Sequence, residues 1–130
     1  MEDRRMDLQN MDLMGGSLQI STEVIAKIAR CAALEVDGVA AVSHGRQSKT
    51  VKELLEMASI QPPVIVEMRD GTAEITLELI VRYGTRIPVM AEKVHQSVKA
   101  AVQNMTNVTV SRVNIVIAGL DNGETEPSEP

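Results

Sequence analysis

Aromatic residues are almost missing from this 130-residue chain, which has no Trp, no Phe and one Tyr, Tyr83. Stacking platforms for single-stranded nucleic acid, aromatic shelves for sugars and cages for methylated lysine each need two or more aromatic faces, so these ligand classes are excluded. Cysteine is as scarce. Cys31 alone excludes an intrachain disulfide and a structural zinc site built from several thiolates, and it fits a reducing cytoplasm. No stretch approaches the roughly 18 consecutive apolar residues of a membrane span. The acidic N-terminus lacks the apolar segment and cleavage site of a secretory signal.

What the chain does have is aliphatic. Residues of the set AVILMFWYC make up 44% of it, enough for one Val/Ile/Leu/Met core in a single domain. The formal net charge of −5 is concentrated at the ends. Residues 1–16 carry Glu2, Asp3, Asp7 and Asp12 against Arg4 and Arg5, a net of −2. Residues 121–130 carry Asp121, Glu124, Glu126 and Glu129 without a base, a net of −4. The body, 17–120, is therefore near +1, too weak a field for non-specific DNA binding. The division is a flexible leader over 1–16, one domain over 17–120 and an acidic disordered tail over 121–130.

Within the body the hydrophobic period alternates. Leu18 and Ile20 read as a short strand, and Ser21 caps a helix with Glu23 in its first turn. Ile25, Ile28, Ala29, Ala32 and Val36 form its apolar stripe, with Gly38 as the stop. Val39–Val42 reads as a buried strand. Residues 44–61 turn polar around Val51, Leu54, Leu55 and Ala58, a short helix on a loop that Pro62-Pro63 ends. Asp70-Gly71 between two alternating runs predicts a two-residue type I′ hairpin, which needs positive φ at both turn residues. Pairing outward from that turn sets Arg69 opposite Thr72, Met68 opposite Ala73, Val66 opposite Ile75 and Val64 opposite Leu77. Glu67 then opposes Glu74, a like-charge pair that requires solvent or a neighbour such as Arg69. Gly84 closes the second strand. Pro88 opens the longest helix, whose stripe is Ile87, Ala91, Val94, Val98, Ala101, Val102 and Met105. In the last strand, Val108–Ile117, the apolar parity changes, which a bulge or bend near Ser111-Arg112 reconciles.

The order strand, helix, strand, hairpin, helix, strand predicts an α+β fold, a small mixed or antiparallel sheet with two main helices on one face. The second face shows Ile65, Thr76, Glu78, Ile80, Arg82, Asn114 and Val116. Of these, Ile65, Thr76, Ile80, Asn114 and Val116 form a candidate self-association face, since an exposed aliphatic thread often marks an interface; plain solvated surface is the alternative reading, and an exposed strand edge is the other route to self-association.

Candidate chemistry is sparse. Cys31 lies among alanines on the first helix and reads as a packing residue. His44 adjoins Ser43 in a loop, which does not make a dyad, and His95 sits at the edge of the polar face of the long helix. There is no His-x-x-x-His, no Cys-x-x-Cys and no glycine-rich phosphate loop. Glu67, Glu74 and Glu78 lie on a solvated strand face, without the burial that acid-base work requires. The residues therefore predict no enzyme, no cofactor, no metal and no small-molecule substrate.

Leu18-Gln19-Ile20-Ser21 leading into Glu23-Val24-Ile25 and Ile28-Ala29, Glu35-Val36-Asp37-Gly38-Val39, Tyr83-Gly84 with Ile87-Pro88 and Val94, and Val113-Asn114-Ile115-Val116-Ile117 together resemble the alkaline shock protein family of Gram-positive bacteria, also described as envelope stress response proteins. The resemblance covers about 17–120 and is weakest over 44–61. It implies a small non-enzymatic cytoplasmic protein tied to cell-envelope homeostasis, a homo-oligomer held peripherally at the inner face of the membrane by a small membrane-anchoring partner. It implies no catalytic residues and no cofactor. A different class of function, a small RNA-binding module, would use Arg82, Arg86 and Arg112 gathered at one end of the sheet. The near-neutral body, the missing aromatics and the missing GXXG clamp count against it.

Overall fold

The structure, a computed structural model, describes residues 8–43 and 63–122. Its elements are β1 (Leu8–Leu13), β2 (Gly16–Ser21), α1 (Thr22–Leu34), β3 (Val39–Val42), β4 (Val64–Arg69), β5 (Thr72–Arg82), α2 (Ile87–Thr106) and β6 (Thr109–Asp121). The expected helix within 44–61 and the segment 123–130 of the acidic tail lie outside the described residues.

The leader assigned to 1–16 holds a strand. β1 pairs antiparallel with β2 from Leu8 opposite Ser21 to Leu13 opposite Gly16, across a turn at Met14 and Gly15. Gly15 has φ +86°, which suits glycine at the second turn position. Ser21 then caps α1 as its sequence position requires, accepting a hydrogen bond from the Val24 N–H at 3.2 Å.

β5 is the centre of the main sheet. β4 pairs with it antiparallel through the Asp70-Gly71 turn, where φ is +51° and +78°, the two positive values of a type I′ hairpin. All five expected cross-strand pairs, including Glu67 with Glu74, are present. β6 runs parallel to β5 from Thr72 opposite Thr109 to Arg82 opposite Asp121, so the sheet is mixed. The parallel pair needs a long crossover, and α2 supplies it. β3 follows β4 along the remaining edge of β5. At their junction the Glu78 N–H donates to the Pro63 carbonyl at 2.9 Å, and the Glu78 carbonyl accepts from the Ser43 N–H at 3.0 Å. The parity change in β6 is a bulge at Ser111, since Ala73 opposes Val110 and Glu74 opposes Arg112. A second bulge at Ala118 carries the strand on to Asp121, four residues beyond its expected end at Ile117.

Ala73, Ile75, Leu77, Leu79 and Val81, alternate residues of β5, are fully buried in one cluster with Ile25, Ala29 and Ala33 of α1 and Val94, Val98 and Val102 of α2. Both helices therefore cover the same face of the sheet. The Ser97 hydroxyl donates to the Ala32 carbonyl at 3.1 Å and joins the two helices.

Three details depart from the sequence reading. α1 ends at Leu34, where the Glu35 N–H returns to the Ala32 and Ala33 carbonyls, and Gly38 instead shapes the entry to β3. On α2 the buried line is Met90, Val94, Val98, Val102 and Thr106, while Ile87 and Met105 are exposed. Steps of four residues drift round the helix by about 40°, the inclined ridge that packs on a neighbouring layer. Cys31 is exposed, because it stands about 200° round α1 from Ala29. Tyr83 is 73% exposed, so its ring stands mostly in water beyond the end of β5.

The α2 to β6 junction is held by side chains. Asn107 caps the helix at φ +65°, and the buried Thr106 hydroxyl donates to the Val102 carbonyl at 2.7 Å while accepting from the Val108 N–H at 3.1 Å. Thr106→Val keeps the shape and strands the buried Val108 donor. It is expected to lower stability by about 1–2 kcal/mol in urea titration, with an unchanged m-value.

Candidate functional site

The face of the sheet turned away from the helices is built by strand alternation. β5 has ten even and odd positions in strict succession from Thr72 to Val81, the odd ones buried and the even ones half-buried. Register then assembles rows across the strands. Ile65, Thr76 and Asn114 form one row, Glu67, Glu74 and Arg112 a second, and Glu78 neighbours Val116. Ile80 lies between Ala41 and Gly119. The structure thus brings Ile65, Thr76, Ile80, Asn114 and Val116 to one face, as the sequence predicts. Val116 is the most open of the five, at 45% exposure, and the other four are half-buried.

Polar groups on this face are tied to one another. The Asn114 side-chain amide donates to the Glu74 carboxylate at 3.1 Å and to the Thr76 hydroxyl at 3.3 Å. The Arg69 guanidinium meets the Glu67 carboxylate at 3.4 Å. Each carboxylate of the opposed Glu67/Glu74 pair therefore has its own partner, which relieves the like-charge contact. The Arg69 partnership was legible in the sequence. The Asn114 bond was not, because it depends on the parallel register of β6.

Of the arginines expected to gather for RNA, Arg112 is separated from Arg82. Arg112 stands opposite Glu74 and Arg82 opposite Asp121, eight residues further along β5, a distance of about 26 Å along a strand. His44 lies outside the described residues, so its pairing with Ser43 does too. His95 is half-buried on α2, and its Nδ1 is a buried nitrogen without a hydrogen-bond partner. Among the described residues no group of three or more His, Cys, Asp or Glu is placed to hold a metal ion.

Edge structure adds a feature that alternation alone does not show. Among the described residues β6 pairs with β5 only, so a 13-residue strand borders the sheet. Ile75, Leu77 and Leu79 on β5 are fully buried, whereas their β6 neighbours Val113, Ile115 and Ile117 are only half-buried. The apolar layer continues onto the border strand and is left partly open there.

Residues 10–122, nearly the whole of this domain and its hairpin, match the profile of the alkaline shock protein 23 (Asp-23) family, described by its cell envelope-related function. The chain belongs to this family. It is 33% identical to the uncharacterized protein YqhY of Bacillus subtilis over 116 residues, 89% of this chain and 84% of that protein. It is 32% identical to YloU of the same organism over 106 residues, 81% of this chain and 88% of that one. A stress response regulator gls24 homolog of Streptococcus pyogenes is 25% identical over 114 residues, 88% of this chain and 64% of the relative. No solved structure matches the chain. The alkaline shock family membership agrees with the α+β order of elements, and relatives named for the stress response agree with the envelope-related role.

Proposed function

We propose that this alkaline shock family member is a non-enzymatic interaction protein of the envelope stress response, which self-associates through its sheet and is held at the inner face of the membrane by a small membrane-embedded partner. The observation that carries the reading is the sheet itself: both helices pack on one side, the other presents Ile65, Ile80 and Val116 among mutually bonded polar groups, and β6 borders it with one neighbour only among the described residues. Aliphatic side chains placed on such a surface favour contact with another protein. The family's envelope-related function supports a contact that operates at the cell envelope. Among the described residues no helix is long and apolar enough to cross a membrane, and a protein partner is the proposed tether.

Sedimentation with membranes tests the tether. The full chain is expected to co-sediment with native membranes of a Gram-positive cell, to lose that binding when the membranes are first treated with protease, and to leave protein-free vesicles of the same lipids unbound. Binding to the bare vesicles, or to neither preparation, would contradict a protein tether.

A further inference from the structure

We infer that the outer edge of β6 is the self-association surface, and that its occupant is β6 of a second copy, paired antiparallel about a twofold axis at Val116. The inference rests on the self-associating reading above and names the contact that reading leaves open.

The Arg82 N–H donates to the Gly38 carbonyl, on the β3 side of β5, and the Tyr83 N–H donates to the Asp121 carbonyl, on the β6 side. Even residues of β5 therefore aim their peptide groups at β3 and β4, and odd residues at β6. In the parallel pair, Arg112, Asn114 and Val116 turn their peptide groups toward β5, which leaves those of Val113, Ile115 and Ile117 pointing outward. An outward row of strand peptides is a template for another strand. Arg112–Ile117, between the bulges at Ser111 and Ala118, is regular enough to receive one.

Self-complementarity then selects the register. With Val116 opposite Val116 of the second copy, Ile115 opposes Ile117 and both contribute outward peptides, forming a hydrogen-bonded pair. The Ala118 bulge shifts the next steps by one. Asn114 then opposes Gly119, Val113 opposes Leu120, and Arg112 opposes Asp121. Apolar side chains meet apolar ones on the helix side of the sheet, covering the half-buried Val113, Ile115 and Ile117. On the other side the charges alternate. Arg82 neighbours Asp121 within one copy, and Arg112 neighbours Glu74 within the other. Across the seam these make a row of Arg82, Asp121, Arg112 and Glu74 with signs plus, minus, plus, minus, the arrangement that favours opposed strands. Two copies joined in this way form one continuous sheet with all four long helices on the same side.

A disulfide reads this register. Val116 at the twofold is a non-hydrogen-bonded pair, with Cα atoms about 4.5 Å apart, inside the range a disulfide spans. In a Cys31→Ser background, which removes the exposed native thiol, Val116→Cys is expected to oxidise to a dimer of twice the 14.1 kDa chain mass, reversed by dithiothreitol. Ile80→Cys, on the open face of β5, is expected to stay monomeric on the same non-reducing gel. Val116 is exposed, so its substitution leaves the fold intact, and circular dichroism of each reduced variant verifies this. Crosslinking through Ile80→Cys in place of Val116→Cys would show stacked open faces and overturn the edge pairing. So would an oligomer that Val116→Cys fails to trap and that deletion of residues 1–13 dissolves, with the β1–β2 hairpin as occupant. In both cases self-association itself would stand, whereas a wild-type chain that stays monomeric at every concentration would overturn both readings.

Discussion

Leu77→Ala is expected to lower the unfolding free energy by about 3–4 kcal/mol, a large fraction of the stability of a domain this size. Leu77 is fully buried at the middle of β5, between Val64 of β4 and Ile115 of β6, and the helices close over it. Truncation removes the transfer free energy of three carbons and leaves a cavity that two hydrogen-bonded neighbour strands prevent from collapsing. Met105→Ala serves as the contrast. Its side chain is 69% exposed on α2, and its loss is expected to change stability by about 0.5 kcal/mol or less. Urea midpoints for the two variants should therefore separate clearly. Similar midpoints would mean that β5 is not the centre of the core.

Gly38→Ala is expected to cost about 2–3 kcal/mol, from two sources that a second substitution separates. Gly38 holds φ +101°, outside the range that residues with a Cβ adopt comfortably. A Cβ added there would also stand 2.7 Å from Thr85 Cγ2 and 3.2 Å from Met90 Cγ. The backbone is pinned, since the Gly38 carbonyl accepts from the Arg82 N–H at 2.8 Å. Thr85→Ser deletes the nearest methyl, so Gly38→Ala combined with Thr85→Ser should regain about 1 kcal/mol relative to the sum of the single effects. Strict additivity in thermal or urea unfolding would mean that the dihedral strain accounts for the whole loss.

These two positions also mark how much of the fold the residues reveal before any coordinates. Counting outward from Asp70-Gly71 places Leu77 in the core, because a type I′ turn fixes register and strand alternation fixes the face. The bulge at Ser111 was legible for a similar reason, as a local change of parity. Gly38 shows the opposite case. Its close approach to Thr85 joins residues far apart in sequence, and only the folded chain shows why glycine is needed there rather than at the helix end. Met90 entered the core in place of Ile87 because the tilt of α2 on the sheet decides which helical line is covered. The alanine neighbours of Cys31 point to packing, although angular position, not neighbour type, sets exposure on a helix. The strand Leu8–Leu13 was hidden by a charged, methionine-rich composition, with Gly15 the one turn signal.

The candidate face was legible because it is the complement of the core. Once odd residues of β5 are buried, Thr76 and Ile80 must face the other way, and the parallel neighbour carries Asn114 and Val116 with them. What the residues alone did not convey was the importance of β6 as a border. That depends on a parallel crossover through α2 placing the longest strand at the edge, where its apolar run has a neighbour on one side only among the described residues.

The central claim is that this alkaline shock family protein acts by joining copies of itself, and light scattering of the full chain over a concentration series tests it most directly. The account predicts a mass that rises with concentration from 14.1 kDa to at least twice that value. A mass that stays at 14.1 kDa throughout the series would contradict it.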